Sequence, residues 1–214
     1  MNDVEVVRDG YDLVSYAYRP DDGLLEGNYA RWVPEFLEAL QPNDSVLDLG
    51  CGCGIPVTRV LSTRQRVTGV DLSPVRVRRA RKLIPEARFI CANMCDLDLP
   101  PNSFRGIIAL YSIIHVPCAS HQALLARIAT WLEPGGVFVA TLGATAWTGS
   151  VEDWLGVRGA TMFWSHFGAD TYRGWLVDVG LDIKHEEYVR DGQGAGRVRE
   201  IVSGHQHFRA ERTR

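Results

Sequence analysis

The chain has no apolar run that approaches the length of a membrane span, and its 214 residues carry no excess of positive charge. Lys and Arg number 23 against 26 Asp and Glu, for a formal net charge of -3. Proteins that grip nucleic acid through its phosphates usually present a basic surface, so no nucleic-acid partner is expected. The first residues, Met-Asn-Asp-Val-Glu-Val-Val-Arg, are charged and lack the apolar stretch of a secretion signal, which predicts a cytoplasmic protein without a membrane anchor. Cysteine is also sparse. Cys51, Cys53, Cys91, Cys95 and Cys118 are spaced C-x-C and C-x-x-x-C, with no paired C-x-x-C knuckle and no histidine pair nearby. Reduced thiols are the plain reading, and no metal site is expected.

What is present fits a globular chain. Hydrophobic residues make up 46% and charged residues 23%, which excludes disordered, collagen-like and disulfide-scaffold classes. The length suits one domain over residues 1–214, with residues 1–43 as a helical N-terminal cover and residues 143–168 as an insertion near the substrate site. Apolar, β-branched runs at Ser45–Leu49, Arg66–Val70, Arg88–Cys91, Gly106–Tyr111 and Gly136–Leu142 read as strands. They are too far apart for hairpins. Between them, Pro56–Leu61, Pro74–Leu83 and Ala119–Leu132 have helical spacing, with Ser73 as an N-cap and Pro74 at the first helical position. Tyr29–Leu40 precedes the first strand as an amphipathic helix, and Asp170–Val179 forms another ahead of Gly180. Alternation of strand and helix implies an α/β fold with a mostly parallel sheet and helices on both faces. Leu181–Val189 and Val198–Phe208 read as a closing strand pair joined by the loop 191–196. The tail carrying Arg209, Arg212 and Arg214 reads as frayed beyond an edge strand.

Gly50, Gly52 and Gly54 fall between the first strand and the helix after it, where glycine lets the backbone turn and approach a ligand closely. Asp71 ends the next strand, where a carboxylate can accept from ribose hydroxyls. Strand, glycine loop, helix, strand and acid together point to a nucleotide, against the alternative of a tight turn without a ligand. Asp48 selects among nucleotides. It lies at the carboxyl end of the first strand, where it would repel a pyrophosphate and attract a cation, and S-adenosylmethionine offers a sulfonium and an ammonium.

Val46-Leu47-Asp48-Leu49-Gly50-Cys51-Gly52-Cys53-Gly54 resembles the first motif of class I S-adenosylmethionine-dependent methyltransferases, and Val67-Thr68-Gly69-Val70-Asp71-Leu72-Ser73 resembles the second. Phe89-Ile90-Cys91-Ala92-Asn93-Met94 is similar to the family's adenine-contact stretch, and Trp131-Leu132-Glu133-Pro134-Gly135-Gly136 to the turn before its fifth strand. The likeness covers roughly residues 25–142. It implies a Rossmann-like sheet of seven strands, the last antiparallel. It also implies S-adenosylmethionine as cofactor and S-adenosylhomocysteine as product. By the same resemblance Gly50, Cys51 and Gly52 meet the methionine end, Asp48 lies near its ammonium, and Asp71 takes the ribose. Leu72 and Met94 flank adenine, Asn93 stands where the family usually has Asp, and Tyr111 and Ser112 lie beneath the methionine part.

Methyl transfer is an in-line displacement at a carbon already activated by the sulfonium, so positioning is the main catalytic task. If a base is used, His115 just past the fourth strand is the best placed, with packing against the following turn as its alternative. His166 is a second candidate, against the plain reading of a surface histidine. Tyr18, Trp147, Phe163 and Trp164 are candidate substrate contacts, or else a local core for the insertion. Tyr11 and Tyr16 can also cover the cofactor. Pro117-Cys118 is the dipeptide of cytosine-C5 methyltransferases, but no target-recognition region follows it and the thiol reads as incidental. The expected acceptor is a small molecule with an O, N, S or C nucleophile. The alternatives are an RNA or protein methyltransferase and a non-catalytic relative that binds the cofactor.

Overall fold

The computed structural model describes residues 2–189 and 205–213. Its centre is a seven-stranded sheet made of β1 (Ser45–Leu49), β2 (Arg66–Asp71), β3 (Arg88–Cys91), β4 (Phe104–Ala109), β5 (Leu132–Gly143), β8 (Leu181–Val189) and β9 (His205–Arg212). The spatial order is β3-β2-β1-β4-β5-β9-β8. The pairs among β1 to β5 are parallel, whereas β9 runs antiparallel to both neighbours. The fold class read from the sequence is therefore the one observed. The chain winds outward from β1 through β2 to β3, then returns to place β4 on the other side of β1. Where the winding reverses, the loops after β1 and β4 diverge and leave a crevice at the carboxyl ends of the strands.

Alternate residues of β1 feed the two faces of the sheet. Leu47 and Leu49 join a core with α5 (His121–Trp131) and α6 (Ala169–Asp178), and Val46 joins one with α2 (Tyr29–Glu38) and α3 (Val57–Leu61). Covering both faces explains why these strands read as continuous apolar runs. α4 (Pro74–Leu83) follows β2, capped by Ser73 as its sequence foretells.

Two segments differ from their sequence reading. The final strand is not an edge. β9 lies between β5 and β8, with Phe208 and Ala210 fully buried, and the exposed border belongs to β8. Nor is the tail frayed at Arg209 and Arg212, which lie within β9; Arg212 donates to Asn102 Oδ1 at 2.6 Å. Residues 198–204, assigned to this strand from sequence, and the loop 191–196 lie outside the described residues. The stretch 143–168, which shows no clean period, holds a hairpin of β6 (Trp147–Val151) and β7 (Met162–His166).

At the N-terminus, α1 (Asp3–Tyr18) forms a full helix. Asn2 and Glu5 exchange side-chain-to-backbone hydrogen bonds of 2.9 Å in a capping box, which sets its start. Val7, Tyr11 and Val14, spaced for one helical face, pack on Met162, Phe163 and Trp164. Gly10 permits the approach, since a β-carbon there would come within 2.2 Å of the Thr161 carbonyl oxygen. No helix among the described residues is long and apolar enough to cross a membrane.

Candidate functional site

β1 ends at Leu49 and the chain turns at once through Gly50, Gly52 and Gly54, at φ of 77°, 60° and 80°. Only glycine takes such angles without strain. Ser112, just past β4, packs into the space left by the missing side chain of Gly50, and its hydroxyl donates to the Leu49 carbonyl at 2.7 Å. The loop is also held from β2. Asp71 Oδ2 accepts from the Gly52 amide at 2.8 Å, and Oδ1 accepts from the Ser73 amide at 2.8 Å. One carboxylate thus joins the glycine loop to the start of α4. Each of its oxygens keeps a further acceptor position.

Asp48 lies deeper, 4% exposed, and accepts from the Thr58 hydroxyl at 2.6 Å. Burial raises its pKa to about 7, opposed in part by the Thr58 hydrogen bond and reinforced by the charge of Asp71. The ionised form is therefore disfavoured in the folded chain. Below about pH 4 the group is protonated folded or unfolded and has no effect. As the pH climbs to about 7 the unfolded chain releases this proton first and the fold loses stability. A cation placed against Asp48 reverses that loss.

The crevice holds about 1030 Å³ of empty space, its solvent-open mouth included, and that volume suits a nucleoside-sized ligand. Leu72, Ala92 and Met94 form an apolar slot on one side. Asn93 lines it as well, while its Oδ1 caps a short turn by accepting from the Cys95 amide at 3.0 Å. Tyr111 sits across the crevice at φ 52°, an uncommon angle for a residue with a side chain, held by its amide donating to Thr141 Oγ1. β4 consequently stops at Ala109, two residues before the end read from sequence.

α1 roofs this space. The Tyr11 hydroxyl meets His115 Nε2 at 2.8 Å, and His115 Nδ1 meets the Phe163 carbonyl oxygen at 2.7 Å. A carbonyl only accepts, so Nδ1 carries the proton and Nε2 accepts from the Tyr11 O–H. Burial lowers the His115 pKa to about 3 and keeps the ring neutral. The Arg76 guanidinium lies 3.7 Å from the Tyr11 ring centroid, with Nη2 buried and unpartnered, and Arg76 lines the crevice. Two ties hold the helix down. Asp12 accepts from the Ser73 hydroxyl and, at 3.3 Å, from the Val75 amide at the start of α4. Arg79 donates to the Ser15 carbonyl at 2.5 Å and to the Arg19 carbonyl at 2.7 Å, which satisfies carbonyls at the carboxyl end of α1.

The positions anticipated for the cofactor, Asp48 through Ser112, all line this crevice, as do His115 and Tyr18. Other candidates do not. Phe163 and Trp164 are buried beneath α1, with Trp147 packed against them, and form a wall behind His115 rather than a lining. His166 is no surface histidine, being 3% exposed with Nδ1 donating to the Thr145 carbonyl at 2.8 Å. Tyr16 is exposed and stacks on Arg79, outside the crevice. Sequence reasoning missed Arg76 and Tyr29, both at the crevice. For Arg76 a signal existed, because it shares the buried helical face of Val77 and Ala80, where a charge needs a reason.

Residues 46–136 match a family model described as a methyltransferase domain. An uncharacterized methyltransferase of Schizosaccharomyces pombe is 30% identical over 170 residues, 70% of this chain and 64% of that protein. The trans-aconitate 2-methyltransferase of an Enterobacter species is 36% identical over 106 residues, 49% of this chain and 41% of that protein. The chain spans less than two thirds of the length of these curated relatives. Among solved structures, magnesium protoporphyrin IX methyltransferase from Synechocystis PCC 6803 with bound S-adenosylmethionine has a TM-score of 0.70 at 17% identity, covering 100% of this chain and 98% of that one. Motifs, sheet order and family match agree. They mark residues 46–136 as a methyltransferase domain of the class I, S-adenosylmethionine-dependent type.

Proposed function

We propose that this chain methylates a small molecule with S-adenosylmethionine, releasing S-adenosylhomocysteine. One observation carries the reading: two buried carboxylates, Asp48 and Asp71, bracket the glycine loop of a single crevice. Carboxylates on both sides disfavour a pyrophosphate and favour a cofactor whose sulfonium and ammonium draw them into the ionised form. Asp48 faces the ammonium, the free lone pairs of Asp71 accept from the ribose hydroxyls, and the methionine end rests over Gly50 and Gly52 against Tyr111 and Ser112. Leu72 and Met94 sandwich adenine. Asn93 accepts from the adenine amino group with the lone pair its cap leaves over.

The bound cofactor supplies an activated methyl carbon, and the residues around it need only align the acceptor and exclude water. His115 is a poor base, with a depressed pKa and Nε2 already occupied. Its role is to hold the Tyr11 hydroxyl over the reacting end. A proton shed by the acceptor leaves to solvent. Arg76, whose guanidinium lines the crevice, suits an acceptor or cofactor carboxylate. A roof tied to α4 through Asp12 and through Arg79 favours an acceptor that fits inside. Trans-aconitate, named for one relative, is of that size class.

The test is to incubate the protein with methyl-labelled cofactor and cell extract, then separate small molecules from macromolecules by ultrafiltration. Label is expected in the filtrate. Label retained on RNA or protein would overturn the small-molecule reading, and binding without any transfer would leave a non-catalytic relative.

A further inference from the structure

Away from the crevice, the register of β8 against β9 sets Glu187 directly opposite His207, with His185 two residues from Glu187 on β8. His185 Nε2 and His207 Nδ1 each stand 3.7 Å from Glu187 Oε1, and the three donor atoms lie within 4.8 Å of one another. His207 is 2% exposed and neither of its ring nitrogens has a hydrogen-bond partner. Buried polar atoms are ordinarily paired, so a buried imidazole with both nitrogens unpaired beside a carboxylate calls for a ligand.

The surroundings fix the donors in place. The Trp32 indole stacks on His207 at 4.1 Å between centroids and 9° between planes. Its Nε1 donates to Glu187 Oε1 at 2.8 Å, and Arg31 Nη2 reaches the same oxygen at 2.5 Å. Metal-bound carboxylates are usually oriented in this way by further donors. Arg31 is half-exposed, so it can move to the second carboxylate oxygen when a cation arrives. An Arg31–Glu187 ion pair alone accounts for the glutamate and leaves His207 unexplained.

We propose that His185, Glu187 and His207 bind a divalent transition-metal ion of the zinc class, with the remaining coordination positions open to solvent on the His185 side. Two imidazoles and one carboxylate suit Zn²⁺, Co²⁺ or Ni²⁺, not Ca²⁺ or Mg²⁺, which take oxygen ligands. Donors on a tetrahedral zinc stand about 3.3 Å apart, so the site closes by small rotations, chiefly of the half-exposed His185. Burial lowers the His207 pKa to about 4, so at neutral pH the ring is uncharged and one of its nitrogens offers a lone pair. The sequence offers no spacing motif for this site, because its ligands come from two strands joined through the residues between them.

The experiment is titration of the full chain with Co²⁺ and Zn²⁺, read by absorption and by thermal unfolding. One Co²⁺ should bind and give visible d–d bands without thiolate charge transfer, and Zn²⁺ should raise Tm by several degrees. His185→Ala removes a half-exposed side chain and should preserve the fold. This variant and Glu187→Gln should each weaken binding about tenfold or more and remove the Tm shift. The proposal fails if neither ion binds, if both variants bind as tightly as the parent, or if the Co²⁺ spectrum shows thiolate ligation from the free cysteines.

Discussion

Asp71→Ala is expected to weaken S-adenosylmethionine binding by about 100-fold or more, a loss on the order of 2.7 kcal/mol. The carboxylate does two things at once. It offers acceptors to the ribose, and it holds the Gly52 and Ser73 amides that shape the loop and the start of α4. Alanine leaves both amides unpaired at a buried position, at a cost of about 1–3 kcal/mol each, and the loop relaxes away from the geometry the ligand needs. Asp71→Asn retains one acceptor oxygen and should fall between the two. Calorimetry on variants whose circular dichroism matches the parent separates this loss from unfolding. Parental affinity in Asp71→Ala would remove Asp71 from the site.

Gly50→Ala should act on the fold itself. A β-carbon at Gly50 would lie 2.2 Å from Ser112 Cβ, far inside van der Waals contact, so the chain after β4 would have to move. Left-handed backbone adds about 1–2 kcal/mol and overpacking about 1–3 kcal/mol, for a destabilisation of roughly 2–5 kcal/mol. In a chain of this size that is a Tm loss on the order of 10 °C. Gly27 is a matched control, with φ 55° and nothing within 4 Å of an added β-carbon. Gly27→Ala should cost only the backbone strain. Equal Tm losses in the two variants would show that the interlock with Ser112 contributes nothing.

The parts of the site that were legible in sequence are those made by local chemistry. Glycines at positive φ, an acid at the end of a strand, and Ser73 before Pro74 are short-range signals, and the structure places them as read. Long-range assembly was not legible. The order of β9 and β8 depends on which strand pairs with β5, and nothing in the sequence of either strand states that choice. The hairpin of β6 and β7 is carried by glycine- and tryptophan-rich segments without a clean alternation, so its pairing emerges only against α1. Tyr11 gains its position from a helix packed across the fold onto His115, a partner 104 residues away. His166 was misjudged for the same reason. It reads as a surface histidine within an insertion, yet the hairpin carries it under cover.

The central claim is that the crevice binds a cationic nucleoside cofactor, and titration calorimetry with S-adenosylmethionine and with a dinucleotide tests it most directly. Asp48 titrates near pH 7 in the free protein, and a facing ammonium holds it ionised, so binding releases a proton at neutral pH. Affinity should rise severalfold from about pH 6 to about pH 7.5, with measured heats that depend on the buffer's ionisation enthalpy. The dinucleotide should not bind. Absence of S-adenosylmethionine binding, or tighter binding of the dinucleotide, would contradict the account.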